Sequence, residues 1–421
     1  MTKKIVVILS LLIICASCSK PNAANNPASS PTPIISPSIQ PTTQPTAEPT
    51  PEPTVTTDPI KEQIASMTLD EKIGQMVLVG LDGTSMEKNA KKMIEQYRVG
   101  GFILYKDNMT SAAQTLKLLN QLKAANQANS APLWLSIDQE GGKVSRMPAE
   151  FAKLPPAADV GRADDLAYTK LIGEALGEEV SALGFNMDFA PVLDINSNPK
   201  NPVIGNRSFG ADSETVIEHG LETMKAIQSK QIAAVVKHFP GHGDTSVDSH
   251  LDLPVVNKTR QQLEAFELLP FVQAIEQDAD AIMVAHLLIP KIDEKYPASI
   301  SKKMIKELLR EDLGYEGVVI TDDMTMGGIT DHFNVGEAAV KSIQAGSDII
   351  LIGHDNGIQV SVLKALKQSA RDGEITRDML DQSVYRILKL KAKYQLSDTA
   401  VNKIDVKAVN NLIGTAVKAG K

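Results

Sequence analysis

The sequence has almost no cysteine: two residues in 421, Cys15 and Cys18, both within the first twenty positions. The rest of the chain can therefore build neither a disulfide framework nor a cysteine-bound metal centre. Clustered Lys and Arg are also missing, and the formal net charge is −8, so nucleic acid and anionic membrane surfaces are poor candidates for the main partner. No internal repeat is visible, which sets aside a repeat architecture. Long apolar runs are scarce. The one near the amino terminus, Ile5 to Ser17, is too short to cross a bilayer comfortably, since a spanning helix needs about 20 apolar residues.

That run reads instead as an export signal. Lys3-Lys4 precede it, residues 5–14 are Ile, Val and Leu apart from Ser10, and Cys15-Ala16-Ser17-Cys18 follows. A basic start, a short apolar stretch and small residues are the marks of such a signal. Ala16-Ser17 before Cys18 resembles a bacterial lipobox, which implies cleavage before Cys18 and lipid on its thiol, although Cys15 stands where an aliphatic residue is usual. Residues 19–58 hold ten of the 23 prolines among Thr, Ser, Asn and Glu. With so little to bury, this stretch is expected to be a linker. Wholly extended, it would reach on the order of 100 Å. The expected organisation is a signal at 1–18, the linker at 19–58, one folded domain at 59–400 and a helical tail at 401–421.

After residue 60 short apolar runs alternate with amphipathic stretches. Eight runs are candidate strands: 76–81, 99–105, 133–138, 184–190, 232–238, 279–286, 317–323 and 347–353. They are continuous rather than alternating, as buried parallel strands are. Residues 168–183 carry apolar positions at helical spacing and stop at Gly184, a plausible C-cap. Eight strand–helix units in this length fit an α/β fold of the (β/α)8 barrel type better than a doubly wound sheet.

In such a barrel, functional residues occupy the carboxyl ends of the strands and the loops that follow. The polar residues obey that rule. The third strand ends in Asp138-Gln139-Glu140-Gly141-Gly142, the fifth in Lys237-His238, the sixth in His286 and the seventh in Asp322-Asp323. Of seven histidines only His219 falls in a predicted helix. Any one of these residues alone is more often a loop-bonding side chain than a catalyst; their convergence on one face is what points to a site.

The loop KHFPGHGDTSVDSHLDLP (237–254) follows the fifth strand. In an extended segment, residues two apart point the same way, so Asp248 can accept a hydrogen bond from His250 Nδ1 and leave Nε2 toward a substrate. Such a pair can give and take a proton near neutral pH. A zinc site from His242, Asp248 and His250 is the weaker alternative, because the spacing fits no zinc motif; no metal and no cofactor is expected. Adjacent strand residues face opposite ways, so only one of Asp322 and Asp323 is expected to enter the site. A carboxylate there can attack an anomeric carbon or stabilise an oxocarbenium-like transition state.

Taken together, IDQEGGKVSRM (137–147), NMDFAPVLDIN (186–196), IGNRSFG (204–210), KHFPGHGDTSVDSH (237–250) and VVITDDMTM (318–326) resemble family 3 glycoside hydrolases, in particular their bacterial β-N-acetylglucosaminidase branch. The likeness runs from about residue 60 to 395. It implies that Asp322 is the nucleophile of a retaining mechanism and that His250, oriented by Asp248, is the acid/base. It further implies that Asp138, Arg207, Lys237 and His238 bind sugar hydroxyls, with Arg146 and His286 as helpers. Many β-glucosidases of the family add a second domain that supplies a glutamate acid/base; here the Asp-Ser-His element is expected to take that part. The implied substrates are GlcNAc-containing cell-wall fragments. The implied location is outside the cytoplasmic membrane, held only by a lipid anchor and with a monomer favoured.

Other readings compete: substrate-assisted catalysis by the acetamido group, a β-glycoside phosphorylase or β-glucosidase of the same family, an aldolase-like lyase using Lys237, and a lipid-anchored sugar-binding protein.

Overall fold

The computed structural model describes residues 58–246 and 252–420. The signal with Cys18, the proline-rich stretch up to residue 57, and both Asp248 and His250 lie outside the described residues.

Eight strands form: β1 (Val77–Gly80), β2 (Gly101–Leu104), β3 (Trp134–Ile137), β4 (Met187–Asp188), β5 (Ala233–Phe239), β6 (Ala281–Val284), β7 (Val318–Thr321) and β8 (Ile350–Ile352). Seven lie within one of the eight apolar runs, and β5 overruns its own, 232–238, by one residue at Phe239. The spatial order is β7-β6-β5-β4-β3-β2-β1-β8, and every pairing is parallel. A parallel bridge between Ile320 and Ile349 joins the two ends, and Thr321 N–H donates to the Ile349 carbonyl at 3.0 Å. The expected (β/α)8 barrel is therefore the fold.

The strands are mostly apolar because they are buried on both faces, by the barrel interior and by the surrounding helices. Burying each large aliphatic or aromatic side chain this way contributes on the order of 1.5–3 kcal/mol. β4 is much shorter than its apolar run for a local reason. Asn186 bonds the neighbouring strand with its side chain, accepting from Leu135 N–H at 2.8 Å and donating to the Leu133 carbonyl at 3.0 Å. Pro191 then has no N–H to offer a ladder.

The helix Leu166–Leu183 starts where the Asp165 carboxylate accepts from Ala167 and Tyr168 N–H, and stops at Gly184 with φ 95°. It packs against the helix Ser213–Ser229, which carries His219, and against the last helix, Val406–Ala419. Among the described residues no helix is long and apolar enough to cross a membrane.

Candidate active site

The strand ends converge on a cavity of about 320 Å³ at the carboxyl face of the barrel. Asp138 after β3, Arg146 and Arg207 from loops, Lys237 and His238 on β5, and Asp322 after β7 all line it.

β3 hands over to a tight turn. Gly141 and Gly142 take φ of 83° and 55°, a region that costs an ordinary residue but not glycine. Glu140 N–H donates to the Val144 carbonyl at 2.9 Å, so the chain doubles back and brings Arg146 to the same cavity as Asp138. Gln139 clamps this turn. Its amide oxygen accepts from Arg146 N–H at 2.8 Å and its NH2 donates to Glu179 at 2.5 Å. The Arg146 Nε is buried and has no hydrogen-bond partner among the described residues.

Lys237 and His238 are adjacent, yet both reach the cavity, because the register of β5 against β6 shifts between Val236 and Phe239. Lys237 Nζ meets Asp138 at 2.5 Å and Glu140 at 2.7 Å. Arg207 forms a bidentate pair with Glu140, at 2.8 Å from Nε and 2.7 Å from Nη2. Glu140, its side chain only 5% exposed, thus bridges two cavity cations. Burial alone would raise its pKa, but Arg207 and Lys237 hold it well below the usual carboxylate range.

His238 is oriented from behind. Its Nδ1–H donates to Asp194 Oδ2 at 2.6 Å, which leaves Nε2 near Arg207 Nη2 at 3.4 Å. Asp194 also accepts from the N–H of His242 at 2.6 Å. Burial opposes its charge, yet the two imidazoles keep its pKa lowered. Burial, with His238 alongside, pushes His242 down to about 4, so that ring is neutral at physiological pH. No group of three or more His, Cys, Asp or Glu among the described residues can hold a metal.

The model of the glycosyl hydrolase family 3 N terminal domain matches residues 68–390, most of the chain and every residue that lines the cavity. The chain belongs to glycoside hydrolase family 3. It is 36% identical over 343 residues to a protein named beta-hexosaminidase A from Pseudoalteromonas piscicida, an alignment covering 76% of this chain and 57% of that protein. It is 32% identical to the beta-hexosaminidase of Nitrosospira multiformis, over 82% of this chain and 97% of the other. Among solved structures it resembles a family 3 beta-N-acetylglucosaminidase from Paenibacillus sp. str. FPU-7, with TM-score 0.79 and 39% identity, covering 84% of this chain and 69% of that one.

In this family 3 chain Asp322 and Asp323 both border the cavity, against the expectation from strand alternation. β7 ends at Thr321, so the pair lies in the turn beyond it, where alternation no longer applies. Their environments differ. Asp322 Oδ1 accepts from Asp323 N–H at 2.9 Å. The Asp323 carboxylate is taken up by Thr325 N–H at 2.9 Å, Thr325 Oγ1 at 2.7 Å and Gly353 N–H at 2.8 Å, with Tyr105 Oη at 3.3 Å. Burial, and then the charges of Asp323, Asp138 and Asp322, push the Tyr105 phenol well up, so it stays a donor.

His286 stands behind the cavity wall. It is fully buried and does not line the cavity. Its Nδ1 accepts from Ser299 Oγ at 2.7 Å, and its Nε2–H donates to the Asp323 carbonyl at 3.0 Å. It braces the turn that carries Asp322. Position at a strand end could not reveal which way its ring faces. The reading of residue types also passed over Glu140, Asp194, Tyr105 and His354. Glu140 and Asp194 stood inside the motifs quoted for the family, whereas Tyr105 and His354 carried no signal beyond their place after a strand.

Proposed function

We propose that the chain is a retaining exo-β-N-acetylglucosaminidase that releases terminal β-linked GlcNAc from peptidoglycan-derived fragments, with Asp322 as nucleophile and the Asp248–His250 pair as acid/base. The observation that carries this reading is the grouping in one cavity of the Asp322 carboxylate with the hydroxyl-binding set Asp138, Arg146, Arg207, Lys237 and His238. The charged members of that set hold a sugar by directional hydrogen bonds and turn its anomeric carbon to Asp322.

In the first displacement an Asp322 oxygen bonds to C1 while the bond from C1 to the leaving oxygen breaks. The imidazolium of His250 gives that oxygen its proton. In the second, water attacks C1, His250 takes the water proton and the Asp322 ester is released, so configuration is retained. The remaining carboxylates nearby support assigning the proton to His250. Among the described residues, Asp138 and Glu140 are paired with cations and Asp323 is ringed by donors.

The names of the relatives favour an N-acetylhexosaminide over a glucoside. The export signal and Cys18 favour an enzyme anchored by lipid outside the cytoplasmic membrane, where wall fragments are its substrates. The test is nitrophenol release by the full chain from the β-N-acetylglucosaminide and the β-glucoside, with Asp322→Asn alongside. A strong preference for the N-acetyl substrate, falling at least about 10³-fold in the variant, is expected. Cleavage of neither substrate would favour a binding protein, and sugar 1-phosphate formed in phosphate buffer would favour a phosphorylase.

A further inference from the structure

One side of the cavity is not used by the hydroxyl-binding set. Tyr105 follows β2 and His354 follows β8, and both line the cavity that holds Asp322. Their rings stack with centroids 4.6 Å apart and planes 25° from parallel. The His354 side chain is 64% exposed, yet it is not a loose surface residue. One face rests on Tyr105, and Nε2 stands 3.8 Å from Asp323 Oδ2, the same oxygen that accepts from Tyr105 Oη.

The backbone is shaped for this arrangement. A Cβ on Gly353 would lie 2.1 Å from Tyr105 Oη and 2.3 Å from Asp323 Oδ2, so only glycine lets the three side chains meet. Beyond His354 the Asp355 carboxylate caps the helix Asn356–Arg371 through Gly357 and Ile358 N–H at 2.7 and 3.0 Å, and Asn356 bonds Asp82. The imidazole is thus held at the mouth with one face covered and the other turned to solvent.

We propose that His354, backed by Tyr105, is the platform on which the leaving-group sugar of the β-linked substrate stacks. The proposal rests on the glycosidase reading above. The sugar to be released is held on the arc from β3 to β5 with C1 toward Asp322 after β7. Its leaving group then extends past β7 to the neighbouring strand end, β8, where the exposed face of His354 stands. A pyranose offers a flat C–H face to such a ring, and its hydroxyls stay in water at an open rim.

The experiment compares the wild-type full chain with His354→Ala and His354→Tyr on two substrates. One is a β-1,4-linked GlcNAc disaccharide, and the other is N-acetylglucosaminyl fluoride, whose leaving group is too small to reach the platform. His354→Ala should lower kcat/KM for the disaccharide roughly three- to tenfold and leave the fluoride unaffected, and His354→Tyr should restore most of the loss. Equal loss on both substrates, or no loss on the disaccharide, would overturn the proposal. A wild-type chain that turns over neither substrate would overturn the glycosidase reading itself, an outcome set apart because it needs no variant.

Discussion

Glu140 does not line the cavity, yet two of the side chains proposed to bind sugar there depend on it. It pairs with Arg207 and Lys237 at once, and with Asp138 it fixes the Lys237 ammonium in a site only 2% exposed. Glu140→Gln should weaken substrate binding first, raising KM more than it lowers kcat, because Arg207 loses its bidentate partner. Removing one member of a buried ion pair costs about 3–5 kcal/mol. Asp138 still holds Lys237, so a loss near the lower end is expected in denaturant unfolding. The pH dependence follows from the depressed pKa. The stabilisation is complete above the ordinary value of 4.5 and is withdrawn as pH falls from there through the folded value. The variant should lack that acid-side loss; an identical acid limb in both proteins would show that Glu140 is not held by its cations.

The elements carry a second, opposite dependence. Glu179 on the helix Leu166–Leu183 meets the loop after β3 through Gln139. Burial pushes it up to about 8, against the pull of the Gln139 hydrogen bond, so the folded protein holds a proton that the unfolded chain releases above 4.5. Stability should therefore fall as pH rises from 4.5 to about 8, by up to about 1.4 kcal/mol per pH unit. Glu179→Gln keeps an oxygen for Gln139 and removes the proton. Its unfolding free energy should match wild type near pH 4.5 and exceed it at pH 8, with kcat/KM unchanged because the Gln139 bond to Arg146 N–H is untouched; parallel profiles would refute this. The strands were legible in the sequence for a physical reason, since a strand buried on both faces is apolar at most of its positions. The interactions that aim side chains were not. Asp194 behind His238, Gln139 behind Arg146 and His286 behind the Asp323 carbonyl join residues 7 to 44 positions apart, and no local period records such a meeting.

At the scale of the whole molecule, the barrel converts eight separated segments into one rim, and the order of strands decides which side chains share a cavity. Closure through Ile320 and Ile349 sets β7 beside β8, bringing Asp323 against Gly353 and His354. The arc proposed to bind sugar hydroxyls occupies β3 to β5 and the turn that carries Asp322 follows β7. The central claim is that Asp322 attacks the anomeric carbon, and trapping the ester tests it most directly. The full chain would be treated with a slow 5-fluoro N-acetylglucosaminyl fluoride, and its intact mass and proteolytic peptides measured. One added glycosyl unit, carried by the peptide that contains Asp322 and absent in Asp322→Asn, is the predicted result. Consumption of the probe without an adduct, or an adduct on another residue, would contradict it.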